Sequence, residues 1–114
     1  MCLHLQFQDL FITMIDVGGQ RSERKKWLRC FDSIQAVIFI ASLAEYDQVL
    51  AEDGVTNRMR ESIVLFGQMC EHTYLEKTNM ILFLNKKDLF ATKLKTKPLS
   101  ICFQGLYSIL LRRG

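Results

Sequence analysis

Two short clusters of polar residues carry groups that could bind an anion and a planar base. The first, residues 16–20 (DVGGQ), places a glycine pair between a carboxylate and a neutral amide. Backbone N–H groups at such a pair can approach an anion closely, because no side chain intervenes. The second, residues 85–88 (NKKD), ends on a carboxylate that could accept hydrogen bonds from two neighbouring donors of a base. The alternatives are a tight turn with a helix cap for the first cluster and a polar loop for the second.

Both clusters follow apolar segments that have the pattern of β-strands. Residues 3–8 alternate between apolar and polar side chains, the pattern of a half-buried strand. Residues 11–16, 36–42 and 80–84 are β-rich apolar runs, which favour strands covered on both faces of a sheet. Since ligands bind beyond the carboxyl ends of parallel strands, the polar residues that follow 16 and 84 are well placed for binding.

Two segments between the strands predict helices. In residues 21–31, Ser22 is the expected N-cap and Glu23 lies in the first turn. In residues 57–70 an apolar stripe has the spacing of one helix face; its members are Met59, Ile63, Phe66 and Cys70. The alternation of strands and helices indicates an α/β fold with a mostly parallel sheet.

The composition describes an ordinary globular domain. The chain has 114 residues, of which 49% are hydrophobic and 24% charged, and its net charge of +3 does not by itself imply nucleic-acid binding. The cysteines lie far apart with no CxxC pair, which predicts reduced thiols in a cytosolic protein. No apolar run reaches the ~18 residues of a membrane span, and no signal peptide follows Met1.

Both clusters match known sequence motifs, and the match continues into longer blocks of the sequence. Residues 16–20 closely resemble the DxxGQ motif of GTP-hydrolysing switch proteins, and residues 85–88 resemble their NKxD guanine-recognition motif. The match extends to four longer blocks, DVGGQRSERKKW from Asp16, EYDQVL from Glu45, TNRM from Thr56 and FLNKKDL from Phe83. As a set, these blocks resemble the alpha subunit of heterotrimeric G proteins, with the inhibitory-type subclass favoured.

The resemblance implies a role for each residue of the first cluster. It implies that the cluster binds the phosphate end of GTP or GDP, with the N–H of Gly19 on the γ-phosphate. Asp16 would hold Mg²⁺ through water, and Gln20 would orient the attacking water as the catalytic residue, because its amide both donates and accepts. The nucleotide-binding residues of this loop would be Asp16, Val17, Gly18, Gly19 and Gln20.

The second cluster would select guanine. Guanine offers N1–H and N2–H₂ as adjacent donors to the two oxygens of Asp88, whereas adenine lacks that donor pair and would leave the carboxylate unpaired. The resemblance implies that Asn85 binds the base edge and that the stem of Lys86 lies over the purine face. Lys87 belongs to the same motif, although a solvated surface charge is its simpler explanation.

The basic helix that follows the first cluster allows several interpretations. Five cations lie within nine residues: Arg21, Arg24, Lys25, Lys26 and Arg29. A solvated helix face is the simplest explanation, and nucleic acid is disfavoured because Trp27 alone interrupts the charges with an aromatic ring. The resemblance implies a switch helix in which Arg24 pairs with Glu61 in the active state. Trp27 would be either a core residue or an anchor for G-protein βγ, effector enzymes or a regulator.

Several parts of such a subunit are missing from this sequence. There is no GxxxxGKS/T phosphate loop and no preceding segment with the catalytic arginine, so GTPase activity of this chain is uncertain. The fold implied is a partial P-loop-type, Ras-like GTPase domain over residues 1–103, without the phosphate-loop strand, the helical domain and the C-terminal helix. Residues 104–114 form a divergent tail. A partial gene model, a splice fragment or a pseudogene product would each give such a chain.

Two further expectations follow from the resemblance. Loss of the phosphate-loop strand would leave unpaired strand edges, so we expect the isolated chain to be marginally stable or unfolded. The parent family works with G-protein-coupled receptors at the inner face of the plasma membrane, and a non-catalytic module that presents residues 22–31 to partners is the alternative function.

Overall fold

The structure, a computed structural model, describes residues 1–105. The chain divides into two units, Met1–Ile34 and Gln35–Gly114, which are described separately. Each unit combines strands with helices, and one strand pair is parallel, so the α/β fold class predicted from the sequence is confirmed. The boundary expected after residue 103 lies at the edge of the described residues and stays a prediction.

The first unit begins with a β-hairpin. Strands β1 (Cys2–Phe7) and β2 (Leu10–Ile15) pair antiparallel, with Cys2 opposite Ile15 and Phe7 opposite Leu10. The turn between them uses Gln8 in the left-handed region at a φ of 54°. The hairpin thus delivers the chain to the first polar cluster at the end of β2.

The basic segment is less regular than predicted. It forms a 3₁₀ helix (Arg21–Lys26) followed by a short α-helix, α1 (Leu28–Phe31). The N-cap is Gln20, not Ser22, so that prediction is wrong. The physical reason is that Gln20 is extended, at φ −67° and ψ 153°, and its carbonyl accepts the first i→i+3 hydrogen bond from Glu23 N at 2.9 Å. Glu23 lies in the first turn, as predicted.

The second unit contains a β-α-β arrangement. Strands β3 (Ala36–Ser42) and β4 (Asn79–Asn85) pair parallel, with Ala36 opposite Asn79 and Ser42 opposite Asn85. The connection carries α2 (Arg58–Glu71), and α3 (Lys87–Leu94) follows β4. Three 3₁₀ helices complete the described part of this unit: Leu43–Glu45, Thr73–Leu75 and Leu99–Ile101.

Helix α2 begins and packs almost as predicted. The side chain of Asn57 caps it by accepting from Met59 N at 3.0 Å and Arg60 N at 3.1 Å. One correction concerns its last turn, where Met69 is buried and Cys70 is exposed. Both positions fit the helical spacing from Phe66, because residues three and four apart share a face.

The strands are more exposed than predicted. Every residue of β1 and β2 is exposed, and in β4 only Met80 is partly covered. The half-buried face predicted for β1 and the burial on both faces predicted for β2, β3 and β4 are therefore wrong. In β3 the burial alternates, because one face packs against α2; the rings of Phe39 and Phe66 lie 5.3 Å apart edge to face. The reason is that each sheet has only two strands, and a pair of strands leaves most of its surface without a second layer.

Candidate functional site

The first polar cluster is an exposed extension of the hairpin. Asp16 N donates to the carbonyl of Met1 at 2.9 Å, which continues the β1–β2 ladder by one residue beyond β2. All of residues 16–20 are exposed. Asp16 therefore directly follows β2, but this strand pairs antiparallel with β1 and is not part of the parallel pair expected from the sequence.

The two glycines of this cluster serve different purposes. A Cβ added at Gly18 would lie 2.8 Å from Cβ and Cγ of Glu23, closer than real Cβ contacts. A Cβ added at Gly19 would meet nothing within 4 Å. Gly18 is therefore required by the close approach of the 3₁₀ helix, whereas Gly19 borders open space that an anion could fill.

The basic helix holds the carbonyl groups of both glycines. The indole Nε1–H of Trp27 donates to the Gly18 carbonyl at 2.8 Å, and Nε of Arg24 donates to the Gly19 carbonyl at 3.2 Å. In a trans peptide the C=O and the following N–H point in opposite directions. The N–H of Gly19, which shares a peptide with the Gly18 carbonyl, is thus turned away from Trp27.

This arrangement gives Trp27 a role that the sequence did not predict. The side chain is partly buried and its N–H donates to the Gly18 carbonyl, while its role as an anchor for a protein partner stays a prediction. The indole positions the backbone donor at Gly19. The signal in the sequence was the short spacing between a lone tryptophan and the glycine pair, which fits a local contact.

The second polar cluster forms a sharp strand-to-helix turn. Asn85 is the last residue of β4, and its Oδ1 accepts from Lys86 N at 2.9 Å. Lys86 adopts the left-handed conformation at φ 60° and ψ 40°, and its carbonyl accepts from Phe90 N at 3.0 Å. A non-glycine residue in this region is uncommon, and such residues concentrate at functional sites.

The turn presents Asp88 in the first turn of α3. Residues 85–88 are all exposed, so the carboxylate is accessible to a ligand. Asp88 therefore lies in the turn that follows the carboxyl end of β4, a strand that pairs parallel with β3, and its role in recognising a base stays a prediction.

A cluster of charged side chains around Asp47 connects α3 and the residues after it to the segment that follows β3. Nζ of Lys93 donates to the Ala44 carbonyl at 2.8 Å and to Asp47 Oδ1 at 2.9 Å, and Nζ of Lys97 lies 2.8 Å from Asp47 Oδ2. The side chain of Asp47 is only 4% exposed. Hydrogen bonds from Lys97 and then Lys93 hold the pKa of Asp47 below its ordinary value, and the same contact raises the pKa of Lys97.

Tyr46 extends the same contacts to the second cluster. Its side chain is fully buried, its hydroxyl donates to the Lys97 carbonyl at 2.7 Å, and its ring lies 5.3 Å from that of Phe90 edge to face. Because Phe90 bonds to the Lys86 carbonyl, these contacts support the turn that carries Asp88. Residues 45–50 form one of the longer blocks that resemble the family, but the sequence pattern predicts no role for Tyr46 or Asp47.

The remaining predicted site residues fall in separate units. Arg24 and Trp27 belong to the first unit with residues 16–20, and Glu61 belongs to the second with residues 85–88. Their pairing and the distance between the two clusters stay predictions. Within the first unit, Lys26 forms an ion pair with Glu23 at 2.8 Å, so part of the basic charge is locally balanced.

Over residues 1–105 there is no group of three or more His, Cys, Asp or Glu side chains that could hold a metal ion by itself. Mg²⁺ at nucleotide sites is usually held by one or two carboxylates together with phosphate oxygens and waters. The exposed carboxylate of Asp16 fits one such contact. Separately, no helix in this part of the chain is long and apolar enough to cross a membrane.

Comparisons with known proteins agree with these motifs. A family model described as G-protein alpha subunit matches residues 1–108. Proteins named guanine nucleotide-binding protein G(o) subunit alpha, from Lymnaea stagnalis, Locusta migratoria and Caenorhabditis elegans, are each 54% identical over 101 residues. The aligned region covers 89% of this chain but only 28% of each relative. The match runs through both polar clusters and most of the chain, and the chain therefore belongs to the family of G-protein alpha subunits.

Proposed function

We propose that this chain is the segment of a G-protein alpha subunit that binds guanine nucleotide and carries the signal-transducing switch helix. The observation that carries the proposal is the geometry of residues 85–88. A left-handed Lys86 turns the chain so that Asp88 stands exposed in the first turn of α3, directly after a parallel strand. This geometry supports recognition of guanine at the carboxyl edge of the β3–β4 pair.

The base is selected by hydrogen-bond matching. The two oxygens of Asp88 accept from N1–H and N2–H₂ of guanine, while Asn85 binds the base edge and the stem of Lys86 covers one purine face. Adenine leaves Asp88 desolvated without donors, which costs on the order of a few kcal/mol. Lys87, the first residue of α3, belongs to the same motif and is exposed, as a solvated surface charge would be.

The phosphate end is assigned to the first cluster. Gly19 contributes a backbone N–H that borders open space, and its orientation is fixed through Trp27 and the Gly18 carbonyl. Asp16 contributes one water-mediated contact to Mg²⁺, which neutralises phosphate charge when bound. Gln20 orients a water for attack on the γ-phosphate, so that GTP yields GDP and phosphate in the parent protein.

The activity of this 114-residue chain alone is expected to be low. The sequence contains no GxxxxGKS/T segment, which in this class supplies the backbone cradle and lysine for the phosphates. We therefore expect micromolar or weaker nucleotide affinity and no measurable hydrolysis. Partners in the whole protein are G-protein βγ, a G-protein-coupled receptor and effector enzymes, at the inner face of the plasma membrane; nucleic acid is not a partner.

The proposal is tested by fluorescent guanine-nucleotide binding to the 114-residue chain, with and without Mg²⁺. Competition by GDP is expected to exceed competition by ADP, and Asp88→Asn should reverse the preference from GDP toward XDP, because xanthine offers an acceptor where guanine offers the N2 donor. Equal competition by GDP and ADP would overturn the base assignment. Submicromolar affinity would refute the view that the missing phosphate loop is needed.

A second comparison tests whether one nucleotide spans both clusters. Gly19→Ala adds a Cβ into open space, so it should leave the fold intact while crowding the γ-phosphate site. We expect Gly19→Ala to weaken the binding of GTP but not of GMP, whereas Asp88→Asn should weaken the binding of both nucleotides. If Gly19→Ala leaves the affinities for both GTP and GMP unchanged, the first cluster does not contact the nucleotide bound at the second cluster.

The interaction-module alternative is favoured by the exposed face of the basic helix. Leu28 is 48% exposed beside the exposed cations Lys25 and Arg29, a combination suited to a protein partner. In this function the chain hydrolyses nothing and binds βγ or an effector through residues 22–31. A pull-down with purified βγ tests it, and Lys25→Glu with Arg29→Glu should abolish capture.

A further inference from the structure

Helix α3 carries Asp88 but buries little of its own surface. None of its residues is buried, and its apolar side chains Leu89 and Leu94 are 44% and 39% exposed. The hydrophobic effect is roughly proportional to the apolar area removed from water, so apolar contacts alone hold this short helix weakly. Its polar contacts therefore contribute much of what fixes the helix, and Asp88 with it.

A partly buried ion pair holds α3 beyond Asp88. Nζ of Lys93 donates to Asp47 Oδ1 at 2.9 Å and to the Ala44 carbonyl at 2.8 Å. Only 20% of the Lys93 side chain and 4% of the Asp47 side chain are exposed, so salt and water screen this pair less than a surface pair. Lys93 follows Asp88 by five positions, which is about 7.5 Å along a helix axis. The pair therefore restrains α3 at some distance from the carboxylate.

A ring contact holds α3 between these two points. The ring of Phe90 lies 5.3 Å from that of Tyr46, edge to face, and Tyr46 precedes Asp47 in the chain. Tyr46 is itself well fixed, because its side chain is fully buried and its carbonyl accepts from Nδ2 of Asn57 at 2.7 Å. Contacts at two heights along α3 restrain the tilt of the helix as well as its distance from residues 44–47.

The sheet register fixes the other side of the Lys86 turn. Asn85, the last residue of β4, pairs with Ser42, the last residue of β3. The turn at Lys86 is thus restrained by the parallel strands before it and by the Asp47–Lys93 pair after it. Breaking that pair leaves the register in place but removes a restraint on the direction of α3.

We propose that the Asp47–Lys93 pair positions Asp88 for guanine and so determines the preference for a base with an N2 amino group. This inference rests on the base recognition proposed above for residues 85–88. A carboxylate accepts from N1–H and N2–H₂ together only when its plane and distance match both donors. A tilted carboxylate accepts one of these hydrogen bonds and loses the other. Guanine then binds no better than hypoxanthine, which lacks the N2 amino group.

Competition between GDP and IDP against a fluorescent guanine nucleotide tests the positioning role in the 114-residue chain. We expect the unmodified chain to prefer GDP on the order of tenfold, the difference made by one hydrogen bond to a charged group. Lys93→Met keeps the apolar stem and removes the ammonium group, while Asp47 keeps Lys97 as a partner at 2.8 Å. The preference for GDP should fall several-fold in this variant. Lys95→Met is the matched control at an exposed position of the same region and should keep the preference.

The ratio of the two affinities separates positioning from loss of stability. An unfolded fraction weakens the binding of GDP and IDP by the same factor, so it leaves their ratio unchanged. A preference for GDP that persists undiminished in Lys93→Met would overturn the positioning role and leave base recognition by Asp88 intact. Equal binding of GDP and IDP by the unmodified chain would instead overturn the proposed function of Asp88, and the positioning role with it.

Discussion

The indole N–H of Trp27 donates a 2.8 Å hydrogen bond to the carbonyl of Gly18. This bond joins the basic helix to the glycine pair and orients the N–H of Gly19, the group assigned to the γ-phosphate. A change in the position of the glycine pair would therefore be transmitted directly to residues 21–27, because both hydrogen bonds, from Trp27 to Gly18 and from Arg24 to Gly19, link the two segments.

Loss of this bond should loosen the glycine segment. Trp27→Phe keeps an aromatic ring but removes the donor, and a neutral hydrogen bond contributes about 1 kcal/mol. We expect amide hydrogen exchange in residues 17–24 to accelerate by about fivefold, which is that free energy expressed as a ratio. Exchange in α2 serves as the internal control. Unaltered exchange in residues 17–24 would mean that the bond does not order the segment.

The two glycines should differ sharply when they are replaced by alanine. In Gly18→Ala the new Cβ would lie 2.8 Å from Cβ of Glu23, which cannot swing away as a side-chain tip could, so the 3₁₀ helix must shift. Overpacking of this kind typically costs about 1–3 kcal/mol. Gly19→Ala meets no neighbour within 4 Å and is the matched control. Hydrogen exchange of residues 20–27 should rise in the first variant only; equal behaviour would contradict the packing argument.

Acid should weaken the second unit through Asp47. The pKa of Asp47 in the folded state is held below the ordinary value of 3.8. Its contacts with Lys97 and Lys93 therefore stabilise the fold above pH 3.8. This stabilisation is lost as the pH falls through the folded-state pKa, where the carboxylate becomes protonated. Asp47→Asn should lower the free energy of unfolding by about 2 kcal/mol at neutral pH, the size of a hydrogen bond to a charged group. The free energy of unfolding of Asp47→Asn should also depend less on pH below about pH 5 than that of the unmodified chain.

Urea unfolding in a stabilising osmolyte measures this effect across pH. Glu45→Gln is the matched control, because the Glu45–Arg58 pair is longer, at 3.4 Å, and more exposed. Exposed pairs of this type contribute about 0.2–1 kcal/mol. An acid profile of Asp47→Asn that is superimposable on that of the unmodified chain would show that Asp47 is not paired in solution.

Thiol labelling should separate the cysteines by burial. Cys2 and Cys70 are exposed, whereas Cys102 is fully buried and burial raises the pKa of its thiol. Because the thiolate is the reactive form, Cys102 should react with iodoacetamide on the order of tenfold or more slowly than Cys70. Mass spectrometry of labelled peptides follows the rates, and urea should make them equal. Equal rates without urea would mean that the second unit is not folded.

The isolated chain should have low thermal stability. Large apolar side chains remain exposed in both strand pairs, such as Phe11 at 77%, Ile40 at 65% and Phe83 at 54%. The described residues bury few apolar side chains, so little hydrophobic free energy offsets the conformational entropy of folding. Far- and near-UV circular dichroism should show no cooperative melt above about 45 °C, the lower end of ordinary domains. Such a melt would contradict the expectation of a marginal fold.

Local patterns in the sequence determined the secondary-structure elements and the residues whose side chains could bind a ligand. Alternation and apolar runs placed all four strands to within a residue or two, and Asn57 caps α2 just where the polar-to-apolar change occurs. The motif spacing located Asp16 directly after β2 and Asp88 in the helix turn just beyond β4, because the end of each strand is set by where an apolar run stops. The family assignment follows from the same motifs, since their type and spacing are properties of the chain itself.

Only the tertiary structure determined which side chains are buried and which distant residues are in contact. The burial of Asp47 depends on Lys93 and Lys97, which are 46 and 50 positions away in the chain. The contact of Tyr46 with the Lys97 carbonyl likewise joins distant parts of the chain. The sequence did not predict the exposure of β2 and β4. An apolar run shows that a strand is suited to burial, but burial also requires neighbouring strands or helices, and the run does not specify these. Sequence therefore fixes which groups are available for chemistry, and three-dimensional contacts fix which of them are held in place.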